Sequence, residues 1–401
     1  MARRSAGLTV LLAAVSTLGP YTIDSFFPSL RAISAELRVT PLQAQQIVTA
    51  FMLPYAFMSL LHGSLSDALG RRRVILVALS LYILCSLGCV FAPGFGMLLL
   101  FRALQGMVAG VGHTIGRAVV RDRYSGVEAQ RVLSSITMIF ALGPALAPVV
   151  GGWVHVWFGW RAVFGTMALF GVILLAAVYW YLPETHPPEN RSRLHPVALI
   201  GSIARVMANS KFRWMTASSV LCFISLHAYI GSAPAIVLDH WHLTETQFGV
   251  LSMPIIGGYW VGAWITGRTA GRVEPERMIR FGYHGALAMS SAMLLLQLFV
   301  PQAPLVIQLL IMAGTATCVQ FIFPVVTLRI LDLFPHARGA ASSAQAFFSM
   351  IMSALMMGVV SPWLSITMQR LAIGCFGLTL VGWLLWLLKL RQPVHGTITQ
   401  H

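Results

Sequence analysis

The sequence predicts an all-α integral membrane protein with twelve transmembrane helices in two six-helix bundles, and three observations support this fold class. Hydrophobic residues make up 57% of the 401 residues and charged residues only 10%, whereas an average soluble domain has about 25% charged residues. The apolar residues form runs of about 20, the length that a helix needs to cross the hydrocarbon core of a bilayer. The basic residues gather in the short segments between alternate runs, as in cytoplasmic loops.

These observations exclude several classes of protein. A net charge of +15 would suit a nucleic-acid binder in a polar chain, but here the charge lies in loops between apolar runs, so no nucleic-acid partner is expected. The five cysteines all lie inside apolar runs. They show neither a disulfide framework nor a zinc-binding spacing, and no metal site is predicted.

The twelve runs follow one another with short polar breaks. In the first half they cover about 7–30, 42–62, 74–92, 96–118, 129–155 and 161–181. In the second half they cover about 214–238, 246–267, 278–300, 303–328, 339–363 and 370–390. Strands of a membrane barrel would be much shorter and would alternate, so the runs are predicted to be helices.

Two segments need a separate interpretation. The first run continues to about Leu30, too far for the apolar core of a signal peptide, so we interpret it as a retained helix. Residues 182–213 contain four prolines and five basic residues, which exclude a span. Within them, 197–208 is predicted to form a short amphipathic helix on the membrane surface. The predicted domains are an N-terminal bundle (1–181), a cytoplasmic linker (182–213) and a C-terminal bundle with a short cytoplasmic tail (214–401).

The orientation follows from the distribution of Lys and Arg. With the N-terminus inside, 22 of the 27 basic residues fall on the cytoplasmic side and four on the outer side, while Arg102 lies within a run. The positive-inside rule therefore places both termini in the cytoplasm.

The loop between the second and third runs, Gly63–Arg73, reads GSLSDALGRRR. It resembles the signature G-x-L-a-D-r-x-G-r-k of the major facilitator superfamily, although Ala68 replaces the usual basic residue. Glycines permit unusual backbone angles and close helix approach, and Asp67 is able to face a helix N-terminus or a neighbouring arginine. The resemblance implies the major facilitator fold and a role in conformational gating for Gly63, Asp67, Gly70, Arg71 and Arg72.

The fourth run contains LLLFRALQG at Leu98–Gly106, which is similar to the motif l-x-x-x-R-x-x-q-G of drug:proton antiporters. An arginine inside a membrane is costly and rarely faces lipid. Two interpretations remain open, namely a charge within the proton pathway and a structural arginine that binds backbone carbonyls. The resemblance adds Gln105 and Gly106 to the gating residues.

The fifth run contains GPALAPVVGG at Gly143–Gly152. It resembles the antiporter motif G-P-x-x-G-G, with Ala147 and Pro148 in place of the closing glycines. Small residues and prolines allow helices to pack closely and to bend, and generic helix packing is the alternative to gating. The gating residues predicted from this motif are Gly143, Pro144, Pro148, Gly151 and Gly152.

Further segments are similar to the Bcr/CflA branch of drug:proton antiporters, typified by bicyclomycin and chloramphenicol exporters. They are DSFFPSL from Asp24, RAVVRD from Arg117, GWRAVF from Gly159, PET from Pro183 and FPHARGAASS from Phe334. Arg121 and Asp122 in the second of these segments are added to the gating residues. The resemblance implies proton-coupled multidrug efflux across a bacterial inner membrane.

Asp24 is the candidate for proton coupling, because the other eleven of the twelve acidic residues fall in loops or near helix ends. An intramembrane carboxylate is a functional candidate, since burial favours its neutral form and lets it bind and release a proton. Arg102 lies at a similar depth in its run, and an ion pair would favour the charged carboxylate. We expect a switchable Asp24–Arg102 pair, and a permanent strut is the alternative.

A small-molecule cavity is expected near the middle of the membrane, between the two halves. Aromatic and methionine side chains suit varied apolar ligands, although packing or lipid contact is the alternative for each. The candidate substrate-binding residues are Tyr21, Asp24, Phe27, Gln46, Tyr55, His113, Met138, Phe223, His227, Tyr229, Tyr259, Gln320 and Gln345.

The resemblance implies that the proton gradient is the energy source. No cofactor is expected, because the sequence contains neither an ATP-binding loop nor a motif of enzymatic catalysis. The leading hypothesis is a monomeric antiporter in the bacterial inner membrane that exports small hydrophobic or cationic drugs by alternating access. A proton-coupled exporter of a metabolite, such as an amino acid, nucleoside or purine, is the first rival. A membrane sensor that has lost transport is the second.

Overall fold

A computed structural model describes residues 2–191, 196–269, 271–300, 302–335 and 337–390. Within these ranges the chain is almost wholly helical. The helices before the linker are α1 (Ala2–Asp24), α2 (Leu30–Leu37), α3 (Pro41–Leu69), α4 (Arg71–Val90), α5 (Phe95–Ala109), α6 (Val111–Arg123), α7 (Gly126–Phe158) and α8 (Trp160–Tyr181). The later helices are α9 (Pro196–Ala208), α10 (Ser210–Gly231), α11 (Gly249–Thr269), α12 (Pro275–Phe299), α13 (Leu305–Leu333), α14 (Arg338–Leu355), α15 (Ser361–Leu364) and α16 (Met368–Leu390).

In the described part of the chain, eleven helical segments are long and apolar enough to cross a membrane. They are Gly7–Leu37, Pro41–Leu69, Arg71–Val90, Phe95–Arg123, Arg131–Phe158, Trp160–Tyr181, Ser210–Gly231, Glu245–Thr269, Leu305–Leu333, Arg338–Leu364 and Met368–Leu388. Each corresponds to one of the predicted apolar runs, so the multi-pass helical fold class is confirmed.

The remaining predicted run, 278–300, coincides with α12. This is a continuous helix of 25 residues, but it is not among the eleven segments. Polar residues such as His284, Ser290 and Gln297 interrupt its apolar sequence. The count of twelve spans therefore stays a prediction.

Helix boundaries follow local sequence chemistry. Thr40 and Gln43 form a capping box at the start of α3, with Pro41 in the first turn. At the reversal between α3 and α4, Gly70 adopts φ +95°, a left-handed conformation that glycine adopts without steric cost.

The linker contains the short helix predicted there, since α9 spans Pro196–Ala208 and packs against α14. Asn209 then caps α10 by accepting a hydrogen bond from the Phe212 N–H at 3.0 Å. The predicted position of α9 on the membrane surface stays a prediction. Most of the predicted cytoplasmic tail lies outside the described residues.

The helix bundle has two ends, named here after one residue at each. The Gln45 end carries the start of α3, and the Arg71 end carries the start of α4. Between the halves, α3 packs against α14 and against a π-helical turn at Met356–Val360. Helix α7 packs against α11 and the preceding turn at Glu245–Gln247.

Glycines bring the helices of the first half into backbone contact. A Cβ atom on Gly106 of α5 would lie 2.1 Å from the Phe51 carbonyl oxygen of α3. One on Gly112 of α6 would lie 2.2 Å from the Val15 carbonyl oxygen of α1. Small residues allow such approach between membrane helices, where packing replaces the hydrophobic effect as the main driving force.

We therefore expect Gly106→Ala to lower thermal stability, because the added methyl group forces α5 away from α3. Overpacking of this kind costs about 1–3 kcal/mol. Gly165→Ala in α8 is the matched control, since no atom lies within 4 Å of its added Cβ and alanine favours helix. Thermal unfolding of the purified proteins in detergent measures both. Equal shifts for the two variants would contradict the packing explanation.

Candidate functional site

Arg102 is fully buried in α5 and makes contacts with several helices. Its Nη1 atom donates a hydrogen bond to Gln105 Oε1 at 2.7 Å and makes a longer contact of 3.5 Å with the Thr22 carbonyl oxygen of α1. Its Nε atom lies 3.4 Å from the Ile47 carbonyl oxygen of α3. Binding to carbonyl groups satisfies part of the hydrogen-bonding capacity that water would satisfy outside a membrane.

Aromatic rings complete the environment of this guanidinium group. Its central carbon lies 4.5 Å from the centroid of Phe26, 4.4 Å from that of Phe51 and 5.8 Å from that of Phe164. Such cation–π contacts stabilise a desolvated cation by about 2 kcal/mol. The Nη2 atom is buried and has no hydrogen-bond partner among the described residues.

A chain of polar side chains extends from Arg102 to α4. Gln105 donates to Ser86 Oγ at 2.7 Å, and Ser86 donates to the Tyr82 carbonyl oxygen at 2.8 Å. The Tyr82 and Thr22 hydroxyl groups lie 2.5 Å apart. The sequence analysis missed Thr22, Tyr82 and Ser86. Because Ser86 and Tyr82 stand four residues apart in one apolar run, they share a helix face, and this spacing was the available signal.

Asp24 is the last residue of α1, lies within the candidate span Gly7–Leu37 and is partly buried. Its carboxylate forms no hydrogen bond or ion pair with another described residue. Other acidic side chains near helix ends do have basic partners, as in the Glu276–Arg329 pair, where the charged atoms are 3.4 Å apart. Asp24 is therefore an unpaired carboxylate at membrane depth.

The structure does not bring Arg102 and Asp24 into a pair. Thr22, whose carbonyl oxygen contacts Arg102, precedes Asp24 by two residues, which corresponds to about 200° around a helix. The carboxylate consequently leaves α1 on the side away from the guanidinium group. Of the two interpretations of Arg102, the backbone-bound structural arginine describes this conformation.

Two predicted neighbours of Asp24 differ in their surroundings. The Tyr21 hydroxyl lies 3.2 Å from Thr166 Oγ1 of α8, and its ring meets Phe170 edge to face at 5.3 Å. Phe27 is buried and stacks on Phe26 at 5.5 Å. Tyr21 therefore stays partly exposed beside Asp24, whereas Phe27 has no free surface for a ligand in this conformation.

The other predicted substrate-binding residues of the first half are spread widely. Tyr55 is buried against Gly19 and Gly110, so it packs the interior of the half. Met138 is 52% exposed. His113 lies 5.1 Å from the Phe140 ring and lines a cavity between α1, α6 and α7.

In the second half, the predicted residues include one aromatic group and two unsatisfied polar atoms. Phe223 lies 4.8 Å from Phe323 and 4.4 Å from His227, measured between ring centroids. The Tyr259 hydroxyl and the Gln345 amide nitrogen are buried without a hydrogen-bond partner in the described part of the chain, as expected for groups that bind a ligand or water.

The remaining two predicted residues of this half pack against neighbouring helices. Tyr229 of α10 is buried close to Cys375 of α16. Gln320 of α13 packs against Gly262 of α11.

The predicted gating residues at the Arg71 end form a charged network. Arg71 forms an ion pair with Asp67, and its Nε atom lies 3.1 Å from Asp122 Oδ2 of α6. Its Nη1 atom donates to Ser66 Oγ at 2.6 Å. The arginine thus joins the α3–α4 loop to the end of α6. Arg121 is exposed beside this network, and Gly63 packs near Thr114.

Glu184 extends this network to the end of α8, which the sequence analysis did not predict. Its carboxylate accepts hydrogen bonds from the backbone N–H groups of Arg71 at 2.9 Å and Arg72 at 3.2 Å. A negative charge at a helix N-terminus is favourable. A Cβ atom on Gly70 would lie only 2.6 Å from Glu184 Oε2, so this glycine leaves room for the cap. In the sequence, only the PET segment that begins at Pro183 indicated a role for Glu184.

The Gln45 end holds the two halves together through side-chain amides. Gln45 Nε2 donates to the carbonyl oxygens of Gly231 at 2.6 Å and Met357 at 2.9 Å. Gln46, predicted to bind substrate, instead donates to the Gly358 carbonyl oxygen at 2.7 Å. These acceptors belong partly to the π-helical turn Met356–Val360, and π-helical turns are frequent at functional sites.

An ion pair and one close glycine contact reinforce this seam. Arg31 of α2 pairs with Asp239 of the second half. A Cβ atom on Gly152 of α7 would lie 2.1 Å from the Glu245 carbonyl oxygen, across the seam. Gly143 and Gly151 pack instead within the first half, against Thr17 of α1 and against Ser25 directly after it. Pro144 and Pro148 lie inside α7 between these contacts. The bundle is therefore closed at the Gln45 end.

Comparisons with known proteins agree with this architecture. The sequence model of the Major Facilitator Superfamily matches residues 9–357. A bicyclomycin resistance protein homolog of Haemophilus influenzae is 28% identical over 67% of this chain and 68% of its own length. Multidrug resistance protein D of Escherichia coli is 28% identical over 66% of each chain. The multidrug transporter MdfA of Yersinia pestis is 24% identical over 84% of this chain and 78% of its own length.

Solved structures share the fold at low sequence identity. The xylose transporter XylE of E. coli, in a partially occluded inward-open conformation, aligns over 98% of this chain and 99% of its own with a TM-score of 0.74 and 13% identity. An inward-facing bacterial homolog of the human lysosomal transporter Spinster aligns over 96% and 95% with a TM-score of 0.70 and 14% identity.

We expect Gln45→Leu to open the seam more often, because the Gly231 and Met357 carbonyl groups lose their donor. Two hydrogen bonds contribute roughly 1–3 kcal/mol, so alkylation of a reporter cysteine should accelerate about tenfold. The reporter is Thr49→Cys, whose side chain lies against Gly358, in a variant that lacks the five native cysteines.

The control is Gln369→Leu, since Gln369 donates within the second half, to the Gln297 carbonyl oxygen at 3.2 Å. Its alkylation rate should equal that of the parent. An unchanged rate in Gln45→Leu would contradict the role of this amide in closing the seam.

Proposed function

The chain belongs to the Major Facilitator Superfamily, and we propose that it exports small hydrophobic or cationic compounds across the bacterial inner membrane in exchange for protons. The observation that carries this proposal is the Asp24 carboxylate, which lies within a candidate span and has no partner among the described residues. The names of the relatives, which include bicyclomycin resistance and multidrug resistance proteins, support drugs as the cargo.

In this proposal the Arg71 end faces the cytoplasm. Arg71, Arg72 and Arg73 begin α4 there, and Arg121 and Arg123 end α6. Basic residues of short loops remain on the cytoplasmic side during insertion. Both termini are then cytoplasmic, and the seam at Gln45 faces outward. The described conformation is closed to the outside.

Asp24 supplies the coupling. Water is scarce at membrane depth, so a carboxylate there is stabilised either by a proton or by a cationic cargo, but not by both at once. Arg102 takes no direct part, because its guanidinium group is bound by carbonyl groups and rings within the first half. It keeps α1 in place while Asp24 changes its occupant.

Alternating access turns this competition into transport. Cargo enters from the cytoplasmic side and meets the deprotonated Asp24. The Gln45 seam then opens, and a proton from outside replaces the cargo. The protonated protein returns to the outward-closed conformation and releases the proton to the cytoplasm, which restores the deprotonated Asp24. The direction of net transport follows from the proton gradient, since each step is reversible.

We expect Asp24→Asn to abolish the coupling between drug movement and proton movement, because an amide cannot bind or release a proton near neutral pH. The protein is reconstituted in liposomes with an imposed proton gradient, and proton movement is recorded on addition of ethidium, chloramphenicol, amino acids or nucleosides. The wild type should give a drug-evoked signal, and the variant should lose about 90% or more of it, consistent with general acid–base roles worth 10²-fold or more.

Asp332→Asn is the matched control, since Asp332 is an exposed partner of Arg338 at the Arg71 end. It should keep the signal. A coupled drug signal in Asp24→Asn would overturn the proposed coupling. A signal with amino acids or nucleosides alone would replace drug export by metabolite export, and silence of folded protein with every ligand would favour a sensor.

A further inference from the structure

A small cavity lies within the first half, away from Asp24. Its volume is about 100 Å³, and it is lined by Ser16, His113, Arg117, Leu133, Ile136, Thr137 and Phe140. These residues come from α1, α6 and α7. Among the described residues, none that lines the cavity is acidic, and Arg117 is the one that carries a full charge.

Arg117 is a cation without a partner. It lies inside the candidate span Phe95–Arg123, yet it is exposed and forms no hydrogen bond or ion pair with another described residue. An arginine in a spanning segment usually pairs with an acid or with carbonyl groups and marks a ligand pathway. Arg102 has found such partners in this structure, whereas Arg117 has not.

The free hydrogen-bond donors of the cavity are few. The Ser16 hydroxyl donates to the Leu12 carbonyl oxygen at 2.7 Å, and the Thr137 hydroxyl donates to the Leu133 carbonyl oxygen at 2.9 Å. The guanidinium group of Arg117 and the imidazole of His113 thus remain as donors for a ligand. A guanidinium fork matches a carboxylate, which it binds through two parallel hydrogen bonds.

The rest of the wall is apolar. Leu133 and Ile136 of α7 line it, and the Phe140 ring lies 5.1 Å from the His113 ring. A cavity for a whole drug-sized ligand measures about 300–1,000 Å³, so this one holds only the end of a molecule. Its chemistry suits a carboxylate group attached to an apolar body.

The position of the cavity separates it from the Asp24 site. Arg117 precedes Asp122 of the Arg71 network by five residues, or about 7 Å along a helix. Ser16 lies level with Gly112, to whose carbonyl oxygen its hydroxyl is 3.2 Å distant. Asp24 is eight residues further along α1, or about 12 Å. The cavity therefore stands between Asp24 and the Arg71 end.

From this geometry we infer that the cavity is a second substrate subsite, in which Arg117 and His113 bind the carboxylate of an amphiphilic cargo. The inference rests on the proposed transport function, since it names a further class of cargo. It also extends that function, because hydrophobic and cationic compounds alone would not require an unpaired cation on the route.

The test compares three probes that share one apolar body and differ in the terminal group, namely 4-phenylbutyrate, 4-phenylbutanamide and 4-phenylbutylamine. Isothermal titration calorimetry on the purified full-length protein in detergent measures each affinity without a proton gradient. The wild type should bind the carboxylate about tenfold more tightly than the amide, since charge-assisted hydrogen bonds are about twice as strong as neutral ones.

Arg117→Gln should remove this preference for the carboxylate and leave the affinity for the amide unchanged. Arg131→Gln is the matched control, because Arg131 is an exposed basic residue of α7 that does not line the cavity. It should keep the preference. His113→Asn provides a second variant if Arg117→Gln fails to fold, and it should weaken the preference.

Three results would overturn the inference. They are equal affinity of the wild type for carboxylate and amide, a preference that survives Arg117→Gln, and an equal loss in Arg131→Gln, which would indicate attraction to the overall positive charge. The amine probe keeps the two proposals distinguishable. Its binding should depend on Asp24 and not on Arg117, so failure of the carboxylate subsite leaves the proposed coupling intact.

Discussion

The structure depends on one constraint, the need to stabilise a positive charge in a place without water. Arg102 is fully buried, and its guanidinium group reaches backbone or side-chain groups of α1, α3 and α5 and the rings of Phe26, Phe51 and Phe164. An unsatisfied charge at this depth would cost several kcal/mol. The contacts of Arg102 consequently hold the helices of the first half in one arrangement, and the glycines allow these helices to pack closely in it.

This arrangement divides the molecule into a fixed part and a part able to move. Within the first half, hydrogen bonds and backbone contacts join the helices directly. Between the halves, the seam at the Gln45 end is held by side-chain amides, one close glycine contact and one surface ion pair, and the surface ion pair contributes little. The guanidinium group of Arg102 is bound by carbonyl groups, a side-chain amide and rings, and Asp24 has no basic partner among the described residues. In the proposed transport cycle, Asp24 therefore carries the coupling and the seam carries the motion.

Much of the fold was predictable because lipid imposes simple rules on sequence. Run length and apolarity identified the spans confirmed by the structure, and α12 shows the limit, since interspersed polar residues reduce its mean hydropathy. The residues that the motifs singled out, Arg71, Arg102 and Gly106, lie at packing or network positions, and their predicted gating and coupling roles stay predictions. Side-chain direction could not be predicted, because depth along a run does not specify rotation. Arg102 and Asp24 lie at similar depth, but the two side chains do not point towards each other. Gln46 donates its hydrogen bond across the seam.

The central claim is that Arg102 stabilises the fold independently of Asp24. A double-mutant cycle in the free energy of unfolding tests it, with wild type, Asp24→Asn, Arg102→Met and the double variant at constant pH. The account predicts that Arg102→Met costs about 3 kcal/mol or more and that the cost is the same, within about 0.5 kcal/mol, whether or not Asp24→Asn is present. A markedly smaller cost in the presence of Asp24→Asn would show that the two side chains pair and would contradict the account.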